Sequence, residues 1–117
     1  MHYLLLLHFP PNSGPQPGTP EFDAEMARWG EVNRELRDAG VVVGASGLHV
    51  EATTTLRARD GEPVLTDGPY AETSELLFSF YVLDVEDIDA AAAWAAKMPS
   101  AAYGSIEIRP MVHYEFR

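Results

Sequence analysis

The chain has 117 residues, 46% of them hydrophobic, a length that fits one domain rather than two independent cores. We therefore expect a single domain over residues 1–117. Eight Lys and Arg against eighteen Asp and Glu give a formal net charge of −10, so we expect no nucleic acid and no anionic membrane as a partner. The sequence has no Cys, which excludes disulfides and cysteine metal sites. We expect a cytoplasmic protein, because no apolar run could span a bilayer and the start lacks a secretion signal.

The first predicted elements are an apolar strand, a proline-rich loop and a helix. Residues 3–9 are apolar at both odd and even positions, which indicates a central strand covered on both faces. Five prolines within residues 10–20 predict a loop. Thr19 as N-cap and Pro20 at the first helical position then predict a helix, which Gly40 ends.

A short strand and a hairpin are predicted in the middle of the chain. Residues 41–44 form a β-branched run, and the small residues at 45–47 predict a bulge or an irregular end to this strand. Residues 53–59 and 62–66 flank the pair Asp60-Gly61, which suits a two-residue type I′ turn. We expect these two segments to form a hairpin arm.

The second half of the chain repeats the pattern of strand, helix and strand. A turn predicted at Asp67-Gly68-Pro69 leads to residues 76–83, which are apolar on both faces and predict a second central strand. An acidic stretch with Asp87 as N-cap begins the second helix, and Pro99 ends it. Residues 105–110 alternate in polarity and predict the last strand.

Without the hairpin, this order is βαββαβ, the split arrangement of ferredoxin-like folds. We predict an α+β fold with one antiparallel sheet and an inserted β-hairpin. In such a sheet the first and third core strands lie in the middle, where the two doubly apolar segments fall. Two helices can cover only one face of the sheet, so the other face must be buried from outside the monomer. We therefore predict a face-to-face homodimer.

Several segments together carry a family resemblance. In these segments the chain resembles the DGPF-domain branch of the YCII-related family. The signature Asp-Gly-Pro-Phe falls within residues 66–73, with Tyr70 where the family has Phe. The other matching segments are residues 3–7, 36–40, 57–61 and 106–110. The resemblance implies a dimeric α+β barrel. Some members of the family are joined to sigma factors or encoded beside them, which implies a protein partner as an alternative.

Two residues are candidates for acid–base chemistry. Asp67 either holds an Asx-turn with the residues that follow it or acts as a general base at the rim of a pocket. His8 lies near the end of the first strand, beside the proline-rich loop, and it is either a base or a hydrogen-bonded structural residue. The broader family has a proposed His and Asp active site with the His on the first helix. This first helix has no His and carries Trp29 and Asn33 at the facing positions.

Five further residues are candidates for binding a substrate. Tyr70 supplies a hydroxyl that the family's usual Phe lacks. Arg57 and Arg109 either clamp an anionic ligand or pair with the abundant acids. Trp29 and Tyr81 either line a flat apolar pocket or pack in the core.

We predict a homodimer that binds an unknown small molecule and uses acid–base chemistry without a cofactor. The alternative is a non-enzymatic regulatory or partner-binding module associated with sigma-factor signalling, and a third reading is self-assembly alone. His2 and His8 lie about 20 Å apart on a regular strand, too far to share a metal. No other spacing favours a metal site, so we expect none.

Overall fold

In this computed structural model, the described residues are 1–69 and 74–113. They form six strands, two α-helices and one short 3-10 helix. None of these helices is both long enough and apolar enough to cross a membrane. The elements in chain order are β1 (His2–Phe9), α1 (Pro20–Ala39), β2 (Val42–Gly47), β3 (Thr54–Arg59), β4 (Glu62–Asp67), β5 (Leu76–Asp84), α2 (Ile88–Lys97), the 3-10 helix (Pro99–Ala102) and β6 (Ser105–Pro110).

Four of the strands form an antiparallel sheet in the order β2-β5-β1-β6, while β3 and β4 pair as a separate ribbon. The doubly apolar strands β1 and β5 therefore lie in the middle, as their sequences predict. The topology confirms the predicted α+β, ferredoxin-like fold with one antiparallel sheet and an inserted hairpin.

The predicted helix caps are confirmed. Thr19 accepts a hydrogen bond from the backbone N–H of Phe22 at 3.2 Å, and Gly40 ends α1 in the left-handed conformation with φ 68°. Asp87 accepts one from the N–H of Ala90 at 2.9 Å. The boundaries of both helices follow from these local interactions.

Two details of the predicted elements need correction. The irregularity in β2 lies between Val42 and Gly44, whereas residues 45–47, where it was predicted, pair regularly with β5. Pro99 does follow the end of α2, but the chain then continues into a 3-10 helix that the sequence pattern did not predict. Proline is well tolerated in the first turn of such a helix because it needs no N–H partner there.

The hairpin forms at the predicted turn. Asp60 and Gly61 both have positive φ, 51° and 80°, as a type I′ turn requires. At the other end of the ribbon, Asp67 is the last residue of β4 and Gly68 has φ 99°. Asp67 therefore lies at the junction between β4 and the segment for which the turn was predicted.

The core lies between the helices and one face of the sheet. Leu5 and Leu7 of β1 point to this face and are fully buried, and Leu36 of α1 packs in the same cluster. Their neighbours Leu4 and Leu6 alternate to the opposite face, where they are only half-buried. We call this second face the open face. Its central apolar residues are Leu4, Leu6, Phe80 and Val82, which pair across β1 and β5.

Two glycines respond in opposite directions to the same substitution. A Cβ at Gly104 would overlap the backbone carbonyl oxygen of His8, whereas a Cβ at Gly30, in the middle of α1, meets nothing within 4 Å. We expect Gly104→Ala to lower the free energy of unfolding by roughly 1–3 kcal/mol through overpacking. Gly30→Ala should raise it by about 0.5–1 kcal/mol through helix propensity. Urea denaturation followed by circular dichroism measures both, and a stable Gly104→Ala variant would contradict the packing described.

Candidate functional site

Three polar side chains form a hydrogen-bonded cluster on the open face. The pairing of β1 with β6 sets Leu6 opposite Glu107 and Leu4 opposite Arg109. Even-numbered residues of β1 and odd-numbered residues of β6 therefore share this face. His8, the last residue but one of β1, lies on the same face and pairs with Ser105, so it lies diagonally across the strand pair from Glu107.

Glu107 bridges the two basic side chains. Its Oε1 lies 3.0 Å from Nε2 of His8. Its Oε2 accepts hydrogen bonds from Arg109, at 3.2 Å from Nε and 2.9 Å from Nη2. The His8 side chain is 21% exposed, and Arg109 is 66% exposed. The cluster thus has a half-buried imidazole and a solvent-facing guanidinium.

Electrostatics keep the bridging carboxylate ionised. The hydrogen bonds from Arg109 lower the pKa of Glu107 the most, desolvation partly opposes them, and His8 adds a further lowering. An ionised carboxylate favours the imidazole tautomer whose Nε2–H points to it. In that tautomer Nδ1 of His8 carries the lone pair that can accept a proton from a ligand.

The backbone beneath His8 is held tightly. Gly104 passes against the carbonyl group of His8 with no room for a side chain. On the other side of β1, the pairing with β5 shifts between Leu7 and His8. Bulges of this kind often re-aim a side chain beside a functional site. His8 thus has close backbone packing on the side of Gly104 and irregular pairing on the side of β5.

Asp67, the other predicted acid–base residue, lies outside this cluster. It is exposed at the end of β4, and its carboxylate bonds none of the described residues. The chain beyond it is held instead by backbone and hydroxyl contacts: Gly68 N–H donates to Thr53 O at 2.7 Å, and Thr55 Oγ1 donates to Gly68 O at 2.6 Å. These contacts at Gly68 fix the end of the ribbon.

The predicted binding residues fall in different places. Arg109 belongs to the cluster, whereas Arg57 is half-buried on the ribbon, where it pairs with Val64. Tyr70 lies outside the described residues.

Trp29 and Tyr81 lie on the helix-covered face, opposite to His8. Their rings stack with centroids 6.5 Å apart and planes 5° from parallel. The Tyr81 hydroxyl donates to Oδ1 of Asn33 at 2.7 Å, and burial raises the pKa of Tyr81. The two aromatic side chains therefore pack in and against the core, the second alternative that the sequence left open.

Glu107 is not among the candidate residues that the sequence pattern predicted. The signal available was the alternation of residues 105–110, which puts Glu107 and Arg109 on one face of a strand. His8 joins them only through the register of β1 with β6. Within residues 1–69 and 74–113, no three His, Asp or Glu side chains converge as metal ligands would.

The topology and the cluster define an α+β, ferredoxin-like protein with a polar site on one face of its sheet. The family model of the YCII-related domain matches residues 1–115, and the chain belongs to this family. It is 41% identical over 87 residues to uncharacterized protein R00369 of Rhizobium meliloti strain 1021, a match that covers 72% of this chain and 70% of the relative.

A solved structure has a similar fold. It is 5-chloro-2-hydroxyhydroquinone dehydrochlorinase (TftG) from Burkholderia phenoliruptrix AC1100, in complex with 2,5-dihydroxybenzoquinone. The TM-score is 0.51 and the sequence identity 13%, with 97% of this chain and 96% of the other chain covered. At this identity the likeness supports the fold.

The bridging role of Glu107 predicts a specific change in its titration. Arg109→Gln should raise the pKa of Glu107 towards its ordinary value, because Arg109 contributes most to lowering it. His8→Gln should raise it less. Carboxyl ¹³C NMR titration measures each midpoint, and an unchanged midpoint in Arg109→Gln would contradict the bridge.

The same shift has a consequence for stability. Because the folded pKa of Glu107 is lowered, its ionisation favours the folded state. This contribution is present above the ordinary pKa of Glu and is lost as the pH falls through the lowered folded value.

Proposed function

We propose that the protein is a homodimer that binds a small molecule on the open face and uses His8 as a general base without a cofactor. The contact between His8 Nε2 and Glu107 Oε1, at 3.0 Å, carries this proposal. It orients the imidazole and stabilises the imidazolium that forms when His8 takes a proton. Nδ1 then faces the ligand as the proton acceptor.

Arg109 has a second part in the proposed chemistry. Removing a proton from a hydroxyl or an activated carbon leaves an anion on the ligand. The exposed guanidinium, held by two hydrogen bonds to Glu107, places a positive charge beside that anion. His8 would thus accept the proton, and Arg109 would stabilise the anion that remains on the ligand.

The apolar surface beside the cluster supports the homodimer. Leu4, Leu6, Phe80 and Val82 form the middle of the open face, and both helices lie on the other side of the sheet. A second copy covering them would remove this apolar area from water and exclude water from the cluster. Isologous dimers of this kind are the commonest oligomers of soluble proteins.

The similar fold of TftG supports a class of ligand by analogy. That protein is named for action on a hydroxylated, chlorinated aromatic ring, and its structure holds a dihydroxybenzoquinone. In small hydroxylated aromatics a histidine base can take the proton of a hydroxyl, or that of a ring carbon activated by the neighbouring oxygen, and the second reaction lets solvent hydrogen enter the C–H position. Such aromatics are the first compounds to test here.

A second candidate function follows from the ribbon. Leu56 and Leu65 pair directly across β3 and β4 and are 62% and 67% exposed. Together with a net charge of −10, this apolar surface favours a module that binds a basic protein partner, for which a sigma factor is the candidate. Belonging to the DGPF branch would strengthen this alternative.

Replacement of one open-face residue should separate the two copies. Leu6→Asp places a charge in the proposed interface without a partner, and we expect it to yield a monomer where the unchanged protein is a dimer. Ile88→Asp makes the same chemical change at an exposed position of α2 and should leave the dimer intact. Light scattering at micromolar concentration gives the mass, and circular dichroism checks folding. A monomeric unchanged protein would disprove the homodimer.

The base is tested by comparing His8 with Asp67. We expect a thermal-shift screen of hydroxylated aromatics, including 2,5-dihydroxybenzoquinone, to find ligands; one at a hundred times its dissociation constant stabilises by about 2.7 kcal/mol. NMR then follows solvent deuterium entering the ligand's C–H positions. His8→Gln should slow this exchange by about 10²-fold or more.

Asp67→Asn is the matched control for this experiment. In this variant the rate of deuterium exchange into the ligand should stay within a few-fold of the rate with the unchanged protein, because Asp67 lies outside the cluster. If Asp67→Asn abolished the deuterium exchange and His8→Gln did not, Asp67 rather than His8 would be the base. Binding without exchange in any variant would favour the non-enzymatic module.

A further inference from the structure

A cavity lies at the end of β1, between the proline-rich loop at residues 10–19 and the start of α1. Its volume is about 450 Å³, within the range of small-ligand sites. Four aromatic rings line it, from Phe9, Phe22, Phe78 and Tyr103. The proposed chemistry at His8 uses none of them.

Local backbone features hold these rings in place. The pairing of β1 with β5 steps from Ser79 to Leu77 and skips Phe78. The ring of Phe78 meets that of Phe9 edge to face, with centroids 5.3 Å apart. On the loop side, Gly14 has φ 74°, and a Cβ there would lie 2.6 Å from the Tyr103 ring. The loop therefore closes directly onto that ring.

The charge in this cavity is negative. Among the described residues that line it there is no Lys, Arg or His, and Glu25 supplies a carboxylate. The Tyr103 hydroxyl donates to Oε2 of Glu25 at 2.9 Å. Burial, with the hydrogen bond to Glu25 and its charge, raises the pKa of Tyr103 to about 12. Tyr103 thus stays a neutral donor, and the cavity keeps one net negative charge.

The start of α1 does not offset this charge. Thr19 accepts hydrogen bonds from the backbone N–H groups of Phe22 and Asp23, each at 3.2 Å. Glu21 and Asp23 add two acids to the first turn. These acids and the capped N–H groups disfavour an anion at this end of the helix.

We propose that this cavity binds a small organic ammonium ion, with the cationic group at Glu25 and the apolar body against the aromatic rings. Ring faces attract cations, and the attraction grows when the cation leaves water. The second carboxylate oxygen, Oε1, supplies an acceptor beside the one that Tyr103 uses. This site is separate from the one proposed at His8.

Three probes of similar size and different charge test the proposal. We expect 2-phenylethylamine, which is protonated at pH 7, to bind saturably in isothermal titration calorimetry. The neutral 2-phenylethanol should bind at least tenfold more weakly, and 3-phenylpropanoate should not bind. Equal binding of the amine and the alcohol, or no binding of the amine, would overturn the proposal.

Matched glutamate variants locate the site. Glu25→Gln should weaken amine binding at least tenfold. Glu31→Gln removes the same charge from an exposed position of the same helix and should change binding less than twofold. Equal losses in both variants would mean general attraction to an acidic protein and would refute the site.

A further variant covers the case in which Glu25→Gln fails to fold. Tyr103→Phe keeps the ring and releases the carboxylate from its internal donor, so the amine should bind as well as before or more tightly. A tenfold loss in a folded Tyr103→Phe protein would overturn the proposal. His8→Gln should leave amine binding unchanged, which separates this site from the proposed base.

Discussion

Unequal coverage of the sheet is the constraint on which the rest of this structure depends. Leu5 and Leu7 are fully buried under the helices, while Leu4 and Leu6, their neighbours in β1, have no helix over them. Burying apolar surface contributes about 25 cal/mol per Å². An apolar face in the middle of a sheet therefore favours association over exposure to water.

The polar cluster lies beside this apolar face and can be covered together with it at a low electrostatic cost. With a neutral imidazole, His8, Glu107 and Arg109 together carry no net charge, because the carboxylate and the guanidinium compensate each other. Covering a compensated, hydrogen-bonded group costs less than covering an isolated charge. Partial desolvation would also strengthen the hydrogen bonds within the cluster. The same surface thus suits both an interface and acid–base chemistry.

The sequence predicted those parts of the fold that depend on local chemistry. Thr19, Gly40 and Asp87 act within one turn of their helices, and the Asp60-Gly61 pair sets its own turn, so their signals lie in adjacent residues. The central places of β1 and β5 followed from apolar residues on both faces.

The parts that the sequence did not predict depend on the pairing of distant strands. Glu107 reaches His8 across 99 positions of sequence, and no local pattern sets the offset of β6 against β1. The step in pairing that skips Phe78 is likewise a property of two strands together. The side chain of Glu25 meets Tyr103 only once the 3-10 helix has turned the chain back to α1. These contacts join elements that the sequence describes one at a time.

The ribbon of β3 and β4 also exposes apolar side chains, and it carries two of the candidate residues. An isolated two-stranded hairpin is marginally stable in water, and this one exposes Leu56 and Leu65 on its surface. Its apolar side chains gain from contact with another apolar surface, and the open face of a second copy is one of matching character. Within one chain, His8 and Arg109 lie on the sheet while Asp67 and Arg57 lie on the ribbon, so the cluster at His8 forms without the two ribbon residues.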